Sequence, residues 1–252
     1  MSTPTAVPPV PEAPQGLSEA ERVIDTFIAP SKTFQDIRRN ATWWVPFLLC
    51  AIVSVTFMFV IDKKIGWEQI MQNEIAKNPT AQERIEKLPA EQRDNILRAQ
   101  VKFSKVFAYG SPVLILIVYL VLAGVMLATF NFGFGASMSY MTSMAVVAYS
   151  FLPTILSGLL GIVSIVAGVD PESFNIRNPV ATNPAYFMDQ ASHKFLYGLA
   201  TGLDVINLWV ILLMAIGFSA NSKAKKSTAF FAIFALFVLY KVGTSALAAA
   251  FN

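Results

Sequence analysis

The sequence predicts an all-α, polytopic membrane protein: a five-transmembrane-helix bundle with amphipathic pre-span helices and a helical extramembrane segment between spans one and two. Five apolar runs carry this reading, at 43–61, 107–130, 143–168, 203–219 and 229–250. Each approaches the ~20 residues a helix needs to cross ~30 Å of hydrocarbon. Composition agrees, because 55% hydrophobic and 14% charged residues, with a mean hydropathy of +0.54, lie outside the range of an ordinary soluble domain of 252 residues. The changes between apolar and charged stretches are also abrupt, as expected where a chain passes from lipid to water.

Residues 1–19 read as a disordered, proline-rich tail, with Pro4, Pro8, Pro9, Pro11 and Pro14 and little to bury. The tail has neither a basic n-region nor a short apolar h-region, so the first span is expected to act as a retained insertion signal. The membrane domain is expected from 20 to 252.

Between Ala20 and Asn40, Val23, Ile24, Phe27, Ile28, Phe34 and Ile37 fall at helical spacing, and Pro30 opens a second short helix at its permitted early position. One arrangement lays these two helices on the membrane surface, with Phe27 and Phe34 entering the acyl boundary and Lys32, Arg38 and Arg39 facing phosphates. The other packs the same apolar face on the bundle's own cytoplasmic end. The first span then follows and contains Cys50, the chain's sole cysteine, which excludes an intramolecular disulfide and reads as packing.

The segment Asp62 to Val106 carries nine Lys/Arg and seven Asp/Glu, and Pro79 and Pro89 divide it into three helical pieces. Thr80 with Glu83 has the spacing of a capping box, and the piece from Ala90 is expected to run straight into span two. A solvated helical cap with neutralised charge, or an arm that docks a partner, would both give this pattern.

Pro112 and Pro153 should kink spans two and three. The uncharged linker Asn131 to Thr142 should be a tight turn, and it lacks the spacing of a phosphate-binding loop. A second excursion, Val169 to Thr201, is rich in Asn and Pro, with a possible helix from Ala185 and with Tyr186, Phe187, Phe195 and Tyr197 fitting an interfacial belt. Ser157 with Gly161, Gly124 with Ala128, and Gly198 with Gly202 share the four-residue spacing of close helix contacts and are read as internal packing. A homo-oligomer stays open.

Within spans four and five the costly residues are Asp204 and Lys241, since an ionised side chain at the bilayer centre costs ~2.5–3.5 kcal/mol on insertion scales. Measured from the linker 221–228, their depths differ by about one helical turn, and Asn207 is level with the lysine. A polar cluster of Asp204, Asn207 and Lys241 is therefore expected. A helix-to-helix clamp, a substrate or proton site, or a lysine snorkelling outward while Asp204 sits in water would each use these residues.

Orientation follows from basic residues near the spans. An inside N-terminus places seven Lys/Arg in the cytoplasm against eleven outside, but the short linker with Lys223, Lys225 and Lys226 and no acid is the clearest local signal. The N-terminus is expected inside and the C-terminus outside.

Several local patterns resemble the Yip-type (Ypt-interacting protein) membrane domain family in its prokaryotic form, over about Ala20 to Asn252. The stretch Ile-Ala-Pro-Ser-Lys-Thr-Phe-Gln-Asp-Ile at 28–37, ahead of Trp43 and Trp44, is similar to the family's lead-in to its first span. The run from Gly202 through Asp204 and Trp209 to Gly217 resembles the family's fourth-span pattern. The resemblance implies five spans, a cytoplasmic N-terminus and a non-enzymatic protein of a bacterial cytoplasmic membrane. Eukaryotic relatives bind small GTPases, but their Asp-Leu-Tyr-Gly-Pro motif is absent from this sequence, which argues against GTPase binding here.

No zinc-protease, aspartyl-protease or serine-hydrolase element occurs, and His193 is the only histidine. No catalytic residue, cofactor or metal ligand is expected. The basic residues are interleaved with acids at a net charge of +3, so nucleic acid is not an expected partner. The partners expected are the lipid bilayer and other membrane proteins, in an adaptor or scaffold role. The alternative is a small transporter or channel using Asp204 and Lys241.

Overall fold

The computed structural model describes residues 16–190 and 193–251, so the expected disordered tail up to residue 15 lies outside the described residues. The described residues form helices in the order α1 Glu19–Ile28, α2 Pro30–Asp36, α3 Trp44–Lys64, α4 Trp67–Ala76, α5 Pro79–Glu86 and α6 Ala90–Tyr109. They continue as α7 Ser111–Phe134, α8 Tyr140–Ser150, α9 Thr154–Val166, α10 Lys194–Ala200, α11 Val205–Asn221 and α12 Lys226–Phe251.

Four stretches are long and apolar enough to cross a membrane: Trp44–Lys64, Ser111–Phe134, Tyr140–Val166 and Lys226–Ala250. A bent pair, Lys194–Leu203 and Val205–Asn221 at 54°, makes a further crossing, fourth in chain order, when counted as one broken span. The expected span 203–219 falls on α11, so the break at Asp204 lies at its N-terminal edge and not within it. Asp204 has extended backbone, and its carboxylate accepts from the amides of Ile206 and Asn207, which starts a new helix instead of continuing the old one. Pro153 likewise divides the third crossing into α8 and α9.

Crossings of alternating direction leave α1, α2, the α7–α8 turn and the α11–α12 linker at one end. The arm α4–α6 and the part of the excursion ahead of α10 stand at the other. Neighbours pack as α3 on α7 and α9, α7 on α8, and α11 on α2, α8 and α12. The core between them holds Phe34, Tyr119, Phe130, Tyr149, Leu213 and Phe218, and the rings of Phe130 and Phe218 stack at 4.8 Å. Outward, Val113, Ile117, Val121 and Val125 on α7 are exposed at four-residue spacing, an apolar surface that lipid would cover.

Local boundaries follow side-chain chemistry that the spacing rules missed. Helix α5 is capped by Asn78, whose side chain accepts from Ala81 N at 3.2 Å, so the box expected at Thr80 and Glu83 is not used. The capping box lies at Ser18 and Glu21, opening α1. Helix α6 ends at Gly110, and α7 restarts with Pro112 in its first turn. The linker expected from 131 is shorter, because α7 runs to Phe134 and ends on Gly135 at φ 61°. Asn131 then clamps the turn through the backbone N and O of Met138.

Candidate functional site

The first polar cluster lies at the break in the fourth crossing. Asp204 Oδ1 takes Ile206 N at 2.8 Å, while Oδ2 takes Asn183 Nδ2 at 3.1 Å and the Thr182 hydroxyl. Asn183 and Asn178 exchange amide hydrogen bonds at 2.8 and 3.2 Å, and Val205 N donates to Thr182 O at 3.1 Å. The backbone amides of Val205 and Ile206, which the broken helix would otherwise leave bare in an apolar setting, are satisfied here.

Lys241 does not join Asp204 directly. Its Nζ donates to Thr201 Oγ1 at 2.8 Å, and Asn207 Nδ2 reaches Thr201 O at 3.5 Å, so Thr201 stands between the residues expected to touch. The physical reason is the break itself: α11 starts one residue after Asp204, whose carboxylate is turned onto the new helix end and the excursion. The stem of Lys241 runs against Gly202, where an added Cβ would come within 3.0 Å of Lys241 Cε. Gly198 meets Ser245 in the same way, so this pair of glycines faces α12 within the bundle.

The second cluster joins the pre-span helices to the bundle and was not foreseen. Arg22 is 1% exposed. Its Nε donates to Asp36 Oδ2 at 2.7 Å, and its Nη1 reaches Thr42 Oγ1 at 2.6 Å and Glu19 Oε1 at 3.2 Å. Tyr149 of α8 donates to Glu19 Oε2 at 2.5 Å. The Arg22 carbonyl accepts from the hydroxyls of both Thr26 and Thr33. Burial opposes ionisation of Asp36, but hydrogen bonds from Arg39 and Arg22 hold its carboxyl below the usual range. In sequence the only trace of this cluster is Arg22 three residues after Glu19, a spacing equally common on solvated helix faces.

The residues expected at the membrane surface divide. Phe34 is 0% exposed and packs beneath Gly217 and Val146, so it is corrected from a lipid contact to a core residue. Phe27 is half-buried against Trp209, ring centres 5.7 Å apart. The exposed apolar positions on α1 are Ile24 and Ile28. Lys32, Arg38 and Arg39 are exposed; Arg39 pairs with Asp36 at 3.1 Å and Arg38 donates to Ala220 O. Phe34 and Phe27 thus follow the arrangement in which the apolar face packs on the bundle.

In the excursion, Tyr186 and Phe187 are exposed in a short 3-10 turn at Pro184–Phe187, whereas Tyr197 is buried and accepts from Asn175 Nδ2. Cys50 is buried with Sγ 3.8 Å from Phe151 O. His193 is exposed at the start of α10. Among the described residues no group of three or more His, Cys, Asp and Glu side chains could hold a metal ion.

The sequence model of one protein family, described as Yip1 domain, matches residues 24–247. Comparison with curated proteins and with solved structures gave no significant match.

Proposed function

The chain belongs to the Yip1 domain family, and on that premise we propose that it is a non-enzymatic adaptor or scaffold for other membrane proteins or transport machinery. The protein resides in a bacterial cytoplasmic membrane with its N-terminus in the cytoplasm and its C-terminus outside. The observation that supports an adaptor is α6. None of its twenty residues is buried, and Ile96, Phe103, Val106 and Phe107 leave an apolar stripe uncovered along it. Phe103 is 63% and Val106 65% exposed. A folded helix with an unburied apolar stripe rimmed by Arg98, Lys102 and Lys105 suits the groove or flank of a partner helix.

The test is crosslinking and affinity capture from native membranes, followed by mass spectrometry, for the wild type and for Phe103→Glu with Val106→Glu. One stoichiometric partner in the wild type that is lost from the variant supports the adaptor. Recovery of the chain alone from both overturns it. Orientation is read separately by thiol labelling at Ser222→Cys and Gln92→Cys in a Cys50→Ser background. Labelling of position 222 from outside would reverse the topology.

One observation favours a second reading, a small transporter or channel. The fourth crossing is broken at Asp204, next to the Lys241, Thr201 and Asn207 contacts, and discontinuous spans form substrate sites in several transporter folds. That reading calls for an Asp204→Asn protein that is abundant and folded but carries no flux.

A further inference from the structure

At the end of the molecule that carries the arm, a cavity of about 300 Å³ opens between α4, the excursion, α10 and α12. This is roughly ten times the ~30 Å³ share of one water. Its walls bring together Glu74, Lys77, Arg177, Thr201, Lys241 and Ser245. Three of these are cations from separate parts of the chain, and among the described residues the lining holds one carboxylate, Glu74.

Glu74 neutralises one of these cations: Arg177 Nε donates to Glu74 Oε2 at 2.6 Å, which occupies one edge of the guanidinium. Lys77 Nζ stands 3.9 Å from Glu74 Oε1, beyond hydrogen-bond reach, and both of those buried atoms lack a hydrogen-bond partner. Among the described residues Lys241 Nζ donates to the uncharged hydroxyl of Thr201 and to no carboxylate. Ser245, one turn along α12 and 2% exposed, has an unpartnered Oγ, and Gln190 Oε1 in the same wall is also unpartnered. Burial pushes the Lys77 ammonium down, with Glu74 opposing and Arg177 assisting.

Buried donors without acceptors cost free energy unless something meets them. An ammonium pair, a guanidinium edge and a hydroxyl converging from several directions suit an anion with at least three acceptor oxygens. We propose that this cavity binds a phosphate group, with Lys77, Arg177, Lys241 and Ser245 as its donors. Two of its walls, α10 and α12, belong to membrane-crossing stretches, and Leu196, Leu203 and Val205 are exposed around the break. An anionic phospholipid can therefore place its headgroup in the cavity and its chains against those residues, while a soluble phosphate compound would use the same donors.

The experiment melts purified full-length protein in nanodiscs of phosphatidylcholine, of phosphatidylcholine with phosphatidylglycerol, and of phosphatidylcholine with millimolar inorganic phosphate. A higher melting temperature with phosphatidylglycerol only assigns the cavity to a lipid headgroup. A rise with inorganic phosphate assigns it to a soluble anion, and no rise in either overturns the proposal. In native mass spectrometry with phosphatidylglycerol, Lys77→Gln and Lys241→Gln should each weaken retention by about tenfold, the scale of one charge-assisted hydrogen bond. Lys241→Arg should retain the lipid, which guards against loss through misfolding. Equal loss in Lys223→Gln with Lys225→Gln, at the opposite end, would mean surface attraction alone and also overturns the proposal.

Discussion

Tyr149 and Glu19 meet at 2.5 Å across the boundary between the third crossing and the first pre-span helix. This bond ties α1 to a residue in the centre of the bundle, so the helices before the first span are part of the folded domain and not a loose leader. Tyr149→Phe removes one donor to a partly exposed carboxylate. The expected loss is about 1 kcal/mol, toward the lower end for a charge-assisted bond, read as a lowered melting temperature in detergent.

Arg22→Met should be far more damaging. It would leave the carboxylates of Asp36 and Glu19 facing each other without their shared cation, a change that costs about 3–5 kcal/mol in buried pairs. Limited proteolysis should show new cleavage between residues 29 and 42, with the spanning helices still protected. Unchanged resistance there would remove the cluster from its proposed structural role.

Acid should loosen the same junction. The folded-state pKa of Asp36 is depressed, so its stabilising contribution is complete above the ordinary carboxylate value of about 4 and is lost as pH falls through the lower folded value. The protection factors of amides in α1 and α2, taken against the intrinsic exchange rate at each pH, should therefore fall below about pH 4. Asp36→Asn should show raised exchange already at pH 7, with a smaller further change on acidification.

Two substitutions at Asp204 separate capping from the effect of its negative charge. Asparagine caps a helix nearly as well as aspartate, whereas alanine cannot accept the amides of Ile206 and Asn207. Asp204→Ala should cost about 1–2 kcal/mol and Asp204→Asn clearly less, compared by thermal melting. Equal losses in both would point to a role for the negative charge itself.

Gly217→Ala tests the tightest contact of α2. An added Cβ would fall 2.5 Å from Val146 Cγ1 and 2.8 Å from Phe34 Cδ1, so one side chain must move. Overpacking of this kind costs about 1–3 kcal/mol. Pairing it with Phe34→Leu should recover part of the loss in a melting assay.

The apolar crossings were legible because spanning lipid depends on run length and composition, which need no knowledge of neighbours. The division of the fourth crossing was not, since it depends on Thr182 and Asn183, some twenty residues upstream, arriving to satisfy Asp204. Asp204, Asn207 and Lys241 were singled out by the cost of polar groups in lipid. Their geometry was lost to the assumption of one straight helix. Phe34 was recognised as apolar but placed on the wrong surface, because α2 lies on α11 and periodicity does not say what an apolar face meets. Arg22 drew no reading from the sequence, since only the folded chain brings Asp36 and Thr42 to it.

The short second half of the fourth crossing has an electrical consequence. Seventeen residues of α11 rise about 25 Å, less than the ~30 Å hydrocarbon thickness, and a polar seam begins where they end. A polar seam carries little of a transmembrane voltage, so the drop is taken up over the shorter apolar length of α11 and the field along it is steeper than across a full-length span. Lys241, beside the N-terminal end of α11 through Thr201, stands where that steeper drop begins.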